Sequence, residues 1–539
     1  MTVTEVAPAP KTPAAPPQPA PVRSTNPYLG ILGVFLGAGL ATLNARLVGV
    51  GLADLRGAKG FGFDEASWLP TVLNMATMFS GVFIVFVNAH FGPRRILLPS
   101  AAIFGLVSAI LPFAPGYWSM LALMAIAGLA SGTFYSLTMT FVLTSLPKRL
   151  IIFGIAAYAA DIVFVSNIAS LLEGWYVEHL SWHWIFWTAS LAMPVMMLCI
   201  YFGIPRRPPP GEVPSWRGFA YFSSSLALIY AALDQGERLD WLHSGVIVAL
   251  FAGGMFLLAA TLIRRMVQPH PTLALSFLNR RNTIILALSV SVFKFVHLSA
   301  IVLVPGFLNT IRQYRPLETG HALAWVAVPM LAMVWAVAVL VIRTNSRLTL
   351  SVGLTLVSVA CWVCSHVDTT WSGGNFVTME LLLALGLACT YVGLVASIVL
   401  DGLEAGALAS VANAATFAGF IHFIRIFGGQ VGTAVMTRIV TLREQFHSNS
   451  LGLHVQSGTW VTEERIRALS AGLFPPSAGS DEAQFRAIGI LSQQVKAQAY
   501  TMAISDAFIV IGWLVVVYLL LMLFLKPAKL SYRDLSKMT

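Results

Sequence analysis

Roughly fourteen apolar runs, each near the ~20 residues that a helix needs to cross the hydrocarbon core of a bilayer, are spaced along the chain. They begin near Tyr28, Ala66, Arg95, Trp118, Leu150, His183, Gly218, Leu242, Thr283, Gly320, Leu348, Phe376, Val411 and Ala499. Of 539 residues, 57% are hydrophobic and 10% charged. Soluble domains carry about 25% charged residues. The chain therefore reads as an all-α polytopic membrane protein.

Charge inside such runs is the second constraint. Asp161 lies in the run 150–172, Lys294 in 283–308 and Arg425 in one ending near Val440. Ionised side chains at that depth cost about 2.5–3.5 kcal/mol each, so they are kept where they line an enclosed path or pair internally. A transporter is the first reading. At 1.5 Å rise, Asp161 falls about 16 Å beyond Leu150, near mid-bilayer, whereas Glu173 comes out near the outer surface. Asp161 is accordingly the candidate proton carrier; the competing reading is a permanently ionised partner of Arg46 or another base. Lys294 is at similar depth with His297 one turn on, on the same face. Lys294, with Phe293 beside it, reads as cavity lining that attracts an anionic group or neutralises an acid, or else as a tie between helices. His297 either titrates or packs. Arg425 shares a face with His422 and precedes Gly428, Gly429 and Gly432, small residues that permit close helix approach and rocking. Arg46, Glu380 and Asp506 complete the intramembrane set, which with Asp161 is nearly charge-balanced, as internally paired networks would be.

Alternate connections carry the Lys and Arg, which by the positive-inside rule puts both termini in the cytoplasm. The formal charge of +10 is then mostly a bias of that face and calls for no nucleic acid. Residues 1–27, rich in Ala and Pro, read as a disordered tail. The basic, Pro-rich stretch 205–211 marks a half boundary, and 442–498 is a polar outer segment with helix-like pieces. Cys361 and Cys364 have redox spacing but sit in an apolar span, where buried thiols are ordinary. No phosphate loop, zinc helix or nucleophile elbow occurs, so no enzyme activity, cofactor or metal is expected.

Several segments resemble one family. They are Phe91-Gly92-Pro93-Arg94-Arg95 between the second and third spans, Ser181-Trp182-His183-Trp184-Ile185-Phe186 opening the sixth, Arg425-Ile426-Phe427-Gly428-Gly429-Gln430-Val431-Gly432 in the thirteenth, and Asp506-Ala507-Phe508 in the last. Together they resemble the fourteen-helix drug/proton antiporter branch (EmrB/QacA type) of the major facilitator superfamily. The chain departs from that pattern at Asn44, Ala89, Met124 and 169–174, where the family's usual acid, acid, base and Gly-Pro bend are replaced.

The resemblance implies two six-helix bundles, 28–204 and 283–526, with two extra central helices in 205–282 and a cytoplasmic tail 527–539. It implies proton-coupled efflux of hydrophobic or amphipathic small molecules by alternating access. Asp161, Glu380 and Asp506 are the proton-coupling candidates. Asn44, Arg46, Phe293, Lys294, His297, His422 and Arg425 are the candidates for the cavity, and Gly92, Arg94, Arg95, Gly428, Gly429 and Gly432 for the conformational motifs. The expected site is the bacterial inner membrane, with a periplasmic membrane-fusion-type adaptor on 442–498. A facilitator or importer of a specific organic anion, and a transport-inactive sensor or scaffold, stand as alternatives.

Overall fold

The computed structural model describes residues 26–205, 216–267, 280–404, 411–473, 480–526 and 531–537. The tail up to residue 25, most of the Pro-rich break and the His422 and Ala89 side chains lie outside the described residues. Fourteen long helices occupy the described chain: α1 Pro27–Val50, α2 Phe63–Phe91, α3 Pro93–Ile110, α4 Tyr117–Ser145, α5 Ile151–His179, α6 Trp184–Gly203, α7 Trp216–Gln235, α8 Gly245–Val267, α9 Arg281–Ile311, α10 Pro316–Arg343, α11 Ser346–Cys364, α12 Val377–Glu404, α13 Val411–Gly452 and α14 Ser480–Met522. Twelve of them are long and apolar enough to cross a membrane among the described residues. The more polar α7 and α13 complete the fourteen. Because the number is even, both ends of the bundle's chain lie on one side, here the termini side; the opposite one is the far side.

Local chemistry sets the helix ends. Asn26 caps α1 by accepting from the Tyr28 N–H at 3.1 Å, and Pro27 takes the first turn, where its missing N–H costs nothing. Gly92 joins α2 to α3 at φ 77°, a left-handed value that a side chain resists. Beyond it, Arg94 crosses to the Ile204 carbonyl at 3.3 Å and stacks over Tyr201 at 4.5 Å, tying α3 to the end of α6, while Arg95 is exposed.

Two apolar cores form. One runs from Ile31 to Ile204 around Phe104, Phe134 and Phe186, and is built by α1 to α6. The other joins α9 to α14 with the termini-side half of α5, around Phe307, Phe376 and Phe508. Where the cores meet, α5 and α10 pack at backbone range. A Cβ on Gly174 would lie 2.4 Å from the Leu317 nitrogen, and one on Gly320 2.3 Å from the Leu171 nitrogen. The α13 glycines play the same part against α9: a Cβ on Gly428 or Gly432 would come within 2.6 Å of the Ser291 or Phe295 Cα, and Gly429 is buried beside them.

The opposite seam, between α2 and α13, is filled by α7. Met78 and Val82 of α2 and Leu226 of α7 form one small core with Ile426 and Phe427 of α13. Farther toward the termini side, Phe219 packs on Phe83 and Phe86. Helix α8 covers α7 from outside; only 11% of its apolar window is buried, the signature of a lipid-facing span. At 42 and 43 residues, α13 and α14 are about 63 and 65 Å long against a core of about 30 Å, so both run well past the far side. The helix Trp460–Leu473 folds back on α14 there.

Candidate functional site: a cationic cavity between the bundles

A cavity of about 440 Å³ lies between the two cores, in their far-side half, walled by α1, α2, α4, α5, α7, α9 and α13. Arg46, Lys294 and Arg425 all line it, each from a different helix. Apolar flanks alone do not keep a base in such a place, and tyrosines do much of that work here. The Arg425 guanidinium donates to the Tyr158 hydroxyl at 3.1 Å and lies over the Tyr135 ring at 4.9 Å, with Tyr391 also bonded to it. Tyr135 in turn meets Thr42 at 3.1 Å. Lys294 lies 5.7 Å from the Phe293 ring centre and 6.0 Å from that of Tyr391, with Arg425 and Arg46 near enough to repel it. Three basic side chains against one carboxylate around this void favour an anionic group there.

Asp161 stands at the edge of this group. Its carboxylate packs on the bare backbone of α1 at Gly39, where a Cβ would sit 2.5 Å from Oδ1. Oδ2 is buried without a hydrogen-bond partner among the described residues, and Arg425 is the cation that attracts it. Asp161 and Arg46 do not form an ion pair: among the described residues, the ion pairs of this protein lie on its far side, and none joins two of the deep charges named from the sequence. The cavity is cation-rich, whereas the sequence led us to expect near balance.

The other sequence candidates separate. Phe293 is buried and stacks on His297 at 5.7 Å, so both support the wall behind Lys294. The His297 ring nitrogens find no partner among the described residues, and Asn44 is buried in α1 with its Oδ1 likewise unpartnered. Neither lines the cavity. Glu380 is buried in the first turn of α12, beside Cys364 and away from the void. Asp506 lies elsewhere again, at the root of the far-side hairpin. There its Oδ2 accepts from Arg443 Nε at 2.6 Å and meets His447 Nε2 at 2.7 Å. The Arg443 side chain is 42% exposed, and such pairs are worth less than about 1 kcal/mol. Asp506→Asn is therefore expected to lower thermal stability slightly and leave transport close to wild type; a transport-dead, well-folded variant would contradict this placement.

Sequence reasoning missed Asp234. It is the one carboxylate among the described residues that line the cavity, and it comes from α7, as does Tyr230. Asp234 Oδ2 accepts from Thr71 at 2.5 Å and Oδ1 from Gln430 Nε2 at 2.8 Å. Its sequence context, Asp234-Gln235-Gly236-Glu237-Arg238, looks like the rim of a polar loop. Its partners lie on α2 and α13, far away in the chain.

Comparison with known proteins agrees with this architecture. A family model described as Major Facilitator Superfamily matches residues 34–424. Among curated proteins, the chain is 21% identical to the multidrug export protein EmrB of Haemophilus influenzae, over 90% of this chain and 93% of that one. It is 23% identical to the colistin resistance protein EmrB of Acinetobacter baumannii, over 91% and 94%. It is 20% identical to the fatty acid resistance protein FarB of Neisseria gonorrhoeae, over 92% and 96%. Among solved structures, the proton:xylose symporter XylE superposes with a TM-score of 0.56 at 11% identity, covering 94% of this chain and 98% of that one. The human organic anion transporter MFSD10 does so at 0.54 and 15%, covering 91% and 100%. With the family model spanning well over half its length, the chain belongs to the Major Facilitator Superfamily, as a divergent, multi-pass membrane transporter similar to the EmrB type.

Proposed function

We propose that this transporter exports amphipathic small molecules bearing a negative charge, by alternating access and driven by proton entry. The observation that carries the reading is the cavity itself, in which Arg46, Lys294 and Arg425 converge on one void with aromatic walls. Its volume is in the range of small-molecule sites, and its mix of tyrosine and cation suits an acyl or aryl anion bound without tight stereochemistry. Asp161 is the proton carrier in this reading, since it is the mid-helix carboxylate beside the cavity that holds no ion pair. Curated relatives named for multidrug export and fatty acid resistance support export as the direction.

The Lys/Arg-rich connections put the termini side in the cytoplasm and the far side in the periplasm, across a bacterial inner membrane. The far-side hairpin then projects outward with Phe446, Leu453, Trp460, Val461 and Phe485 exposed, an apolar surface for an adaptor of the membrane-fusion type. The test is efflux of a fluorescent amphipathic carboxylate from proteoliposomes, with the pH gradient imposed and then collapsed by a protonophore. Gradient-dependent, saturable movement is expected. Equal counterflow with and without the gradient would instead establish a facilitator of organic anions, a reading that the cation excess and Asn44 also favour.

A further inference from the structure

We propose that the inserted helix α7 is a working part of the far-side gate and that Asp234 is its positioning residue, holding α2 of one bundle to α13 of the other. The inference rests on the alternating-access reading. In that scheme the two bundles separate on one face at a time, so a polar connection between them at one mouth has to form and break in every cycle.

The far end of α7 is such a connection. Toward α2, Asp234 accepts from the Thr71 hydroxyl, Gln235 Nε2 donates to Thr71 Oγ1 at 2.5 Å and to the Ser67 carbonyl at 3.0 Å, and Arg238 pairs with Asp64. Toward α13, Asp234 accepts from Gln430 and Glu237 meets Arg438 at 3.4 Å. The layers interlock: Arg238 Nε donates to Gln235 Oε1 at 2.6 Å, and Glu237 is steadied by the Trp241 indole at 2.8 Å. Thr71, Gln235 and Gln430 are all buried, so these are not surface bonds that water replaces without cost. Bonding on this scale exceeds what fixing a passive spacer to one bundle requires, and it reaches both. Asp234 and Gln430 belong at once to this bridge and to the cavity wall, so whatever enters the cavity meets the groups that hold the mouth.

The experiment reads conformation rather than transport, which separates its failure from failure of the export reading. In a background with the four native cysteines replaced, Thr433→Cys places a thiol on the cavity wall, and its labelling by a membrane-impermeant maleimide is followed from the far side. Asp234→Ala removes both bonds and is expected to raise the labelling rate roughly tenfold, the shift that loss of a buried charge-assisted bond gives a two-state equilibrium. Asp234→Asn keeps both contacts, because its amide donates to Thr71 Oγ1 while the Thr71 hydroxyl turns to the Ser67 carbonyl at 3.2 Å, so near wild-type labelling is expected. Gln430→Ala breaks the bridge from the other side and serves if Asp234→Ala does not fold. Unchanged or slower labelling in the bond-breaking variant overturns the proposal.

Discussion

Asp161→Asn is expected to abolish gradient-driven transport, to the level of liposomes without protein, while folding and ligand binding survive. The amide is nearly isosteric with the acid, and the close contact with Gly39 leaves no room for a larger change. It cannot bind and release a proton, so the cavity stays in one charge state whatever the gradient. Ligand binding is expected to hold because Arg46, Lys294 and Arg425 are untouched and one neighbouring negative charge is lost. Flux under an imposed pH gradient and equilibrium binding of the same fluorescent carboxylate check the two halves. Preserved flux would remove Asp161 from the mechanism.

Gly320→Val is expected to have a comparable effect for a mechanical reason. Even a single Cβ there would sit 2.3 Å from the Leu171 backbone, and Gly174 is equally tight against Leu317, so α5 and α10 have no side chain that can yield. Overpacking of this kind costs about 1–3 kcal/mol, and here it also forces apart the seam about which the proposed rocking of the bundles would turn. The variant should unfold several degrees lower in detergent and lose transport. Gly253→Ala is the matched control, since its Cβ would meet only Leu228 Cδ1 at 3.6 Å, an ordinary contact. If the two variants behave alike, the α5–α10 contact does not carry the weight assigned to it.

Every one of the fourteen apolar runs corresponds to a long helix, because spanning a bilayer imposes a length and polarity signal that is local in the chain. Depth along a run is nearly as legible, and it is why Arg46, Lys294 and Arg425 could be singled out. Which charges meet is another matter. Thr71 and Gln430 are 163 and 196 residues from Asp234, and nothing in the residues around Asp234 announces either partner. Asp506 shows another limit of reading depth from the sequence. The last apolar run starts at Ala499, yet α14 begins at Ser480, so a residue that counts as intramembrane lies where a continuous helix leaves the bundle and finds Arg443 across the hairpin. Tyr158 was hidden for a simpler reason: in a chain with 13 Tyr and 33 Phe, aromatic residues carry little positional information.

The unbroken course of α13 has one more result. Arg425 and the glycines that seat it on α9 occupy the same rigid rod as the exposed Phe446 at its projecting end. A helix transmits tilt without bending much, so a small rotation at the glycine fulcrum sweeps the tip through a larger arc. Under the proposed alternating-access cycle, a protein seated on that tip would feel each turnover as a lateral stroke, and by the same leverage could slow or bias the transporter.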